Sequence, residues 1–154
     1  MVEVYVAADP VAEQVAREWL ALTDAGRVEE SYAASAALFR RTLTVTSWSL
    51  EYSAVRACLG AVRSRLLCGV RETRRMVGAP KAEYRVVRFR TVFEHGDGAL
   101  DERVATMREA DGRWRVVGYY VPAPWAPRRH PCCRRRSKHR MASSPNRKAE
   151  ALDG

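Results

Sequence analysis

The chain has 154 residues, 47% of them hydrophobic and 29% charged, which is ordinary for a soluble globular domain with one real core. Its net charge of +9 is unevenly placed: residues 123–154 hold nine Lys or Arg and two acids, a net of +7. Residues 1–122 then keep 18 basic and 16 acidic side chains, a net of +2, so any electrostatic case for nucleic acid or an anionic membrane rests on the tail.

No apolar run approaches the roughly 18 residues of a membrane span. The start, Met1-Val-Glu-Val-Tyr-Val, has no basic region before an apolar stretch, so it does not read as a signal peptide. Cys58 and Cys68 are isolated and Cys132-Cys133 are adjacent, which is no disulfide framework. A reducing cytoplasm is the default expectation.

Asp9-Pro10 predicts a helix start, with Asp as N-cap and Pro where no donor is needed. Val11, Val15, Trp19 and Leu22 form its apolar stripe, and Gly26 ends it. A second helix is expected over residues 28–41, carried by Val28, Tyr32, Ala36 and Phe39, with Glu29-Glu30 suiting its dipole. Thr46 or Ser47 is expected to cap a third over residues 48–62, with Trp48, Tyr52, Val55, Leu59 and Val62 on one face. Gly60 costs that helix about 1 kcal/mol, so the helix ends or loosens there.

Beyond this the periodicity changes to that of strands. Residues 66–76 form a weak candidate strand, rich in Arg and broken by Gly69, and Gly78-Ala-Pro80 is a turn. Residues 83–94 form a clear one, with Tyr84 and Val86 alternating against Val87, Phe89 and Phe93. After a turn at His95-Gly-Asp-Gly98, residues 101–109 lead into a hairpin whose tight turn is Asp111-Gly112. Alternation then puts Trp114, Val116, Gly118 and Tyr120 inward and Arg113, Arg115, Val117 and Tyr119 outward.

Helices first and strands afterwards predict an α+β fold, about three helices on one face of an antiparallel meander of about four strands. The expected layout is an N-terminal extension (residues 1–8), one domain (9–122) and a basic tail (123–154) that cannot bury enough surface to order.

Trp19-Leu-Ala-Leu-Thr-Asp-Ala-Gly26, Ala37-Leu-Phe-Arg40, Trp48 with Val55-Arg-Ala-Cys-Leu-Gly60, and Ser64-Arg65 follow in an order that carries a family likeness. Gly78-Ala-Pro80 with Glu83-Tyr84, then Asp111-Gly-Arg-Trp-Arg-Val116 with Gly118-Tyr119, complete it. Over about residues 9–121 the chain resembles a bacterial family of uncharacterised proteins, domain of unknown function 4019. Cys58 stands where that family usually has proline in an Arg-x-Pro-Leu-Gly segment. The resemblance implies a helix-backed curved sheet similar to nuclear-transport-factor-2-like and cystatin-like folds. It also implies export in many relatives. It transfers no activity and no catalytic residue.

The residues themselves offer little chemistry. His95, in a turn, reads as solvated, and Cys58 and Cys68 as small buried hydrophobes without an activating partner. His130, Cys132, Cys133 and His139 lack the spacing of a zinc site, so no metal and no cofactor is expected. Glu29-Glu30 and Asp101-Glu102 read as solvated carboxylates, and Gly96-Asp-Gly98 lacks the helix and Lys of a phosphate loop. Trp19, Trp48, Tyr84, Trp114 and Tyr120 fall on apolar faces. They are either plain core or the lining of a cone for a small apolar ligand; Arg56, Arg65 and Arg88 are expected to be exposed, with a polar contact to that cone as the alternative.

Arg134, Arg135, Arg136, Lys138 and Arg140 would serve a nucleic-acid partner, or the tail is a reading-frame artefact. The expectation is a non-enzymatic domain binding a small ligand or a protein, with a homo-oligomer also possible. The alternatives are a nucleic-acid-associated protein acting through its tail, and an enzyme using Tyr84 or Tyr120.

Overall fold

In the computed structural model, residues 4–5 and 9–122 are described, and the sequence readings for the tail lie outside them. Four helices precede four strands: α1 (Pro10–Asp24), α2 (Val28–Ala34), α3 (Ala37–Thr42), α4 (Val45–Leu59), β1 (Val62–Thr73), β2 (Tyr84–Phe93), β3 (Ala99–Arg108) and β4 (Trp114–Tyr120). The strands form an antiparallel meander in the order β1-β2-β3-β4, with the helices packed on one face. The α+β expectation stands. None of the helices among the described residues is long and apolar enough to cross a membrane.

Asp9 caps α1 by accepting from Ala12 N at 3.1 Å, ahead of Pro10. The buried stripe is Ala12, Ala16, Trp19, Leu20 and Thr23, while Val11 is 51% exposed. The expected stripe was therefore rotated by about one residue. Small Ala12 and Ala16 let the helix sit close to the sheet, which outweighs the larger apolar surface of Val11. The helix expected over residues 28–41 is two short ones, broken at Ser35 and Ala36. There the chain turns extended, and Ala36 N donates to Val116 O at 2.7 Å, so this break satisfies part of the edge of β4. The third expected helix starts earlier: Thr44 is its cap, accepting from Ser47 N at 3.1 Å.

Gly60 ends α4 at φ +73 and ψ −159, a region open essentially to glycine. A Cβ there would meet His95 Cδ2 at 2.7 Å and a Glu94 carboxylate oxygen at 2.9 Å. Gly60→Ala is expected to cost about 1–3 kcal/mol in urea unfolding. A neutral result would mean that the link from α4 to β1 relaxes freely.

The weak strand candidate is the longest strand, of 12 residues, carrying a bulge between Leu67 and Gly69. That bulge leaves Cys68 exposed rather than buried. At the hairpin, Gly112 N donates to Glu109 O at 2.9 Å and Gly112 alone takes positive φ, at +79. Asp111 is not left-handed, so the turn is the three-residue kind, a type I turn followed by glycine.

A second bulge lies opposite Ala105 and Thr106: Ala105 pairs with Gly118, but Thr106 pairs with Val116, leaving Val117 as the extra residue. The alternation of β4 reverses across it. Val116 and Tyr119 face the helices, and Tyr120 is 52% exposed on the far side. The inward placement expected for Tyr120 is thus corrected, and Tyr119 takes that role.

Candidate functional site

Between helices and sheet the space is filled by rings. Trp48 lies 5.5 Å from Trp19, 5.3 Å from Phe39, 5.6 Å from Tyr52 and 6.2 Å from Tyr119, centre to centre. Both indole N–H groups are satisfied within α2 and its C-terminal cap. Trp19 Nε1 donates to Ser31 O and Ser35 Oγ at 2.9 Å, and Trp48 Nε1 to Ser31 Oγ at 3.0 Å. The two buried serines explain how two tryptophans share one core without an orphaned donor.

The five aromatics suggested by the sequence do not form one lining. Trp19 and Trp48 touch each other in the core. Tyr84 belongs to a separate cluster with Ala36 and Met107, and its hydroxyl donates to Pro80 O. Burial raises its pKa, which is the wrong direction for a general base. Trp114, partly buried near the hairpin, has the Arg85 guanidinium 4.3 Å above its ring. Tyr120 is outside.

Beneath the rings lies a polar network. Glu102 is fully buried, and each of the other three strands donates to it. Arg65 Nε on β1 reaches Oε1 at 2.5 Å, Thr91 Oγ1 on β2 reaches Oε1 at 2.8 Å, and the Tyr119 hydroxyl on β4 reaches Oε2 at 2.7 Å. Arg65 continues to Asp24 at 2.6 Å, and Asp24 also holds Arg56, whose guanidinium lies over the rings of Tyr52 and Phe93. Two acids and two guanidiniums make the cluster neutral overall. Asp24 sits at the C-terminal end of α1, where the helix dipole disfavours an acid, and the two arginines offset that.

Glu102, read as solvated, and Arg56 and Arg65, read as exposed, are thereby corrected. Their charges stay inside because each has an oppositely charged partner. Burial opposes the Arg65 charge, but its bonds to Asp24 and Glu102 more than compensate and raise its pKa. Burial first, then the charge and hydrogen bond of Glu102, push the Tyr119 phenol well above its ordinary value. A carboxylate with three donors and no open side is a poor acid or base for a substrate. Parity could have located it: Glu102 is in step with Val104 and Thr106, both buried.

Two recesses stand out among the described residues. One, about 530 Å³ beside the hairpin, is open and edged by Arg74, Lys81, Glu83 and Arg108. The other, about 240 Å³, lies between α3, the start of α4, bulged β4 and the link from β1 to β2. Leu38, Leu43, Trp48, Tyr84, Val117 and Tyr119 are among its lining, with Met76 to Ala79 forming one wall and Glu51 as the charged group. This groove unites Trp48 and Tyr84, two of the sequence candidates, with Tyr119. His130, Cys132, Cys133, His139 and the basic run at residues 134–140 lie outside the described residues.

Residues 15–119 match the family described as protein of unknown function (DUF4019), and the chain belongs to that family. No curated protein matches it, and no solved structure does.

Proposed function

We propose that the domain is a non-enzymatic binding module that takes a small apolar ligand, or one apolar side chain of a partner protein, in the groove beside Trp48. The observation that carries this reading is the groove's lining: apolar side chains from several elements meet there, with a single carboxylate, Glu51, to orient what enters. A pocket of few polar groups on an apolar wall is the usual form of a small-ligand site. Its volume of about 240 Å³ lies below the usual range for drug-sized ligands and suits a single ring or a branched side chain. The buried acid, Glu102, is taken up by three donors, and that weighs against an enzyme.

The test is a library of small aromatic and aliphatic compounds, read by melting temperature and tryptophan fluorescence. A hit should raise the melting temperature and change the emission of Trp48. The filled variant Ala79→Trp should lose that response while unfolding like the parent. Hits that persist in Ala79→Trp would place the site elsewhere, and no hit from the library would sink the small-ligand form of the proposal.

A further inference from the structure

Glu51 departs from the way this chain treats its acids. Asp9, Glu13, Asp101, Glu102 and Glu109 are half-buried or buried, and each holds a guanidinium: Arg85, Arg17, Arg88, Arg65 and Arg115 in turn. Glu51 is half-buried as well, yet among the described residues it has no ion pair and no hydrogen bond. Desolvating a carboxylate costs stability unless a partner offsets it, and the chain supplies that partner at each of the other five. The position explains the surroundings. Glu51 stands one turn beyond Trp48 on α4, at the border of the buried stripe that Trp48 and Tyr52 form, and so edges the groove.

The rest of the lining decides what can satisfy that carboxylate. Among the described residues no Lys, Arg or His borders the groove. The side-chain hydroxyls of Thr42, Tyr84 and Tyr119 already donate, to Leu38 O, Pro80 O and Glu102 Oε2. An anionic ligand would meet a like charge and no free side-chain donor. A neutral apolar one would strip water from Glu51 without replacing it. The rings of Phe39, Trp48, Tyr84 and Tyr119 border the same space, and aromatic walls attract cations. With the groove taken as the ligand site proposed above, on which this rests, we infer that it selects a small organic monocation. The ligand is an ammonium on a compact aromatic or branched body, its charge at Glu51 and its body against the rings. A lysine side chain carries its charge on a thin unbranched stem that fills such a space poorly, so a compact free amine is favoured over a protein partner.

The test titrates the full chain with benzylammonium, benzyl alcohol and benzoate, which share one ring and differ in charge, and reads Kd from amide NMR shifts. Benzylammonium should bind at least about tenfold tighter than benzyl alcohol, the size of one hydrogen bond to a charged group, and benzoate more weakly than both. Raising salt from about 50 to 500 mM should narrow the gap between amine and alcohol. Glu51→Gln should bring the two within about twofold of each other. It should leave the Kd of the alcohol and the melting temperature near those of the parent, since the carboxylate gives up no contact within the described residues. Equal affinity for amine and alcohol in the parent, or a preference that survives Glu51→Gln, would overturn the inference and leave the groove as an apolar site. A preference that survives Ala79→Trp would overturn it by placing the cation elsewhere, and so would tighter binding of a lysine-containing tripeptide than of benzylammonium. If none of the three probes binds, the groove reading itself fails and the inference with it.

Discussion

Glu102→Ala is expected to lower stability by about 3–5 kcal/mol in urea unfolding, although it removes a side chain with no exposure. The cost is not that of a lost salt bridge in isolation. Desolvation of the carboxylate is already offset by Arg65, Thr91 and Tyr119, and removing the acceptor leaves all three donors facing a space they cannot hydrate freely. Asp24 still holds Arg65, which limits the damage and separates this case from a fully orphaned charge. Glu102→Gln keeps the shape but not the charge, so its cost should be smaller than that of alanine. A cost below about 1 kcal/mol for alanine would show that water replaces the carboxylate.

The same network fixes the sign of an alkaline effect. Tyr119 binds its proton more tightly when folded, so its contribution is fully present below the ordinary tyrosine pKa of about 10 and is lost as pH rises beyond that. Tyr119→Phe should therefore lessen the fall in stability above that pH. The flattening will be partial, because burial raises Tyr52 and Tyr84 in the same direction.

Much of the fold was legible because helix stripes and strand alternation are one-dimensional consequences of burial. Asp9-Pro10 marked α1, and residues 83–94 lie within one residue of β2 at each end. The misreadings have a common cause. Val116-Val117-Gly118-Tyr119-Tyr120 places an aromatic inward in either phase, so neither composition nor alternation reveals a bulge at Val117. The break at Ser35 and Ala36 was equally hidden. Ala36 leaves the helix to bond with β4, a partner 80 residues further on that local spacing cannot name. Arg56, Arg65 and Glu102 looked exposed because each is charged, and only the ion pairs of both arginines with Asp24, and of Arg65 with Glu102, make burial tolerable. The candidate site was half legible: Trp48 and Tyr84 were identified as residues, but the groove needs Met76 to Ala79 and the bulged strand to exist at all.

Trp48→Ala should cost about 3–5 kcal/mol, at the upper end of what aromatic truncations do. Trp48 is 2% exposed and meets four rings, so the loss combines transfer, cavity and ring–ring contributions. It also leaves Ser31 Oγ without its indole donor. Trp114→Ala is the internal control: partly exposed and packed mainly under Arg85, it should cost no more than about 1–2 kcal/mol. If Trp114→Ala proved the costlier of the two, the assignment of the core to the rings around Trp48 would be wrong. The substitution also bears on the groove, because Trp48 separates that groove from the interior. Removing the indole should join the two spaces into a larger apolar cavity, and such cavities stay dry and accept ring-shaped guests. Free indole should then bind Trp48→Ala and restore part of its melting temperature by mass action, while leaving the parent almost unmoved. A rescue equal in both proteins would mean that indole enters the existing groove. No rescue in either would mean that the side chains around Trp48 collapse into the gap.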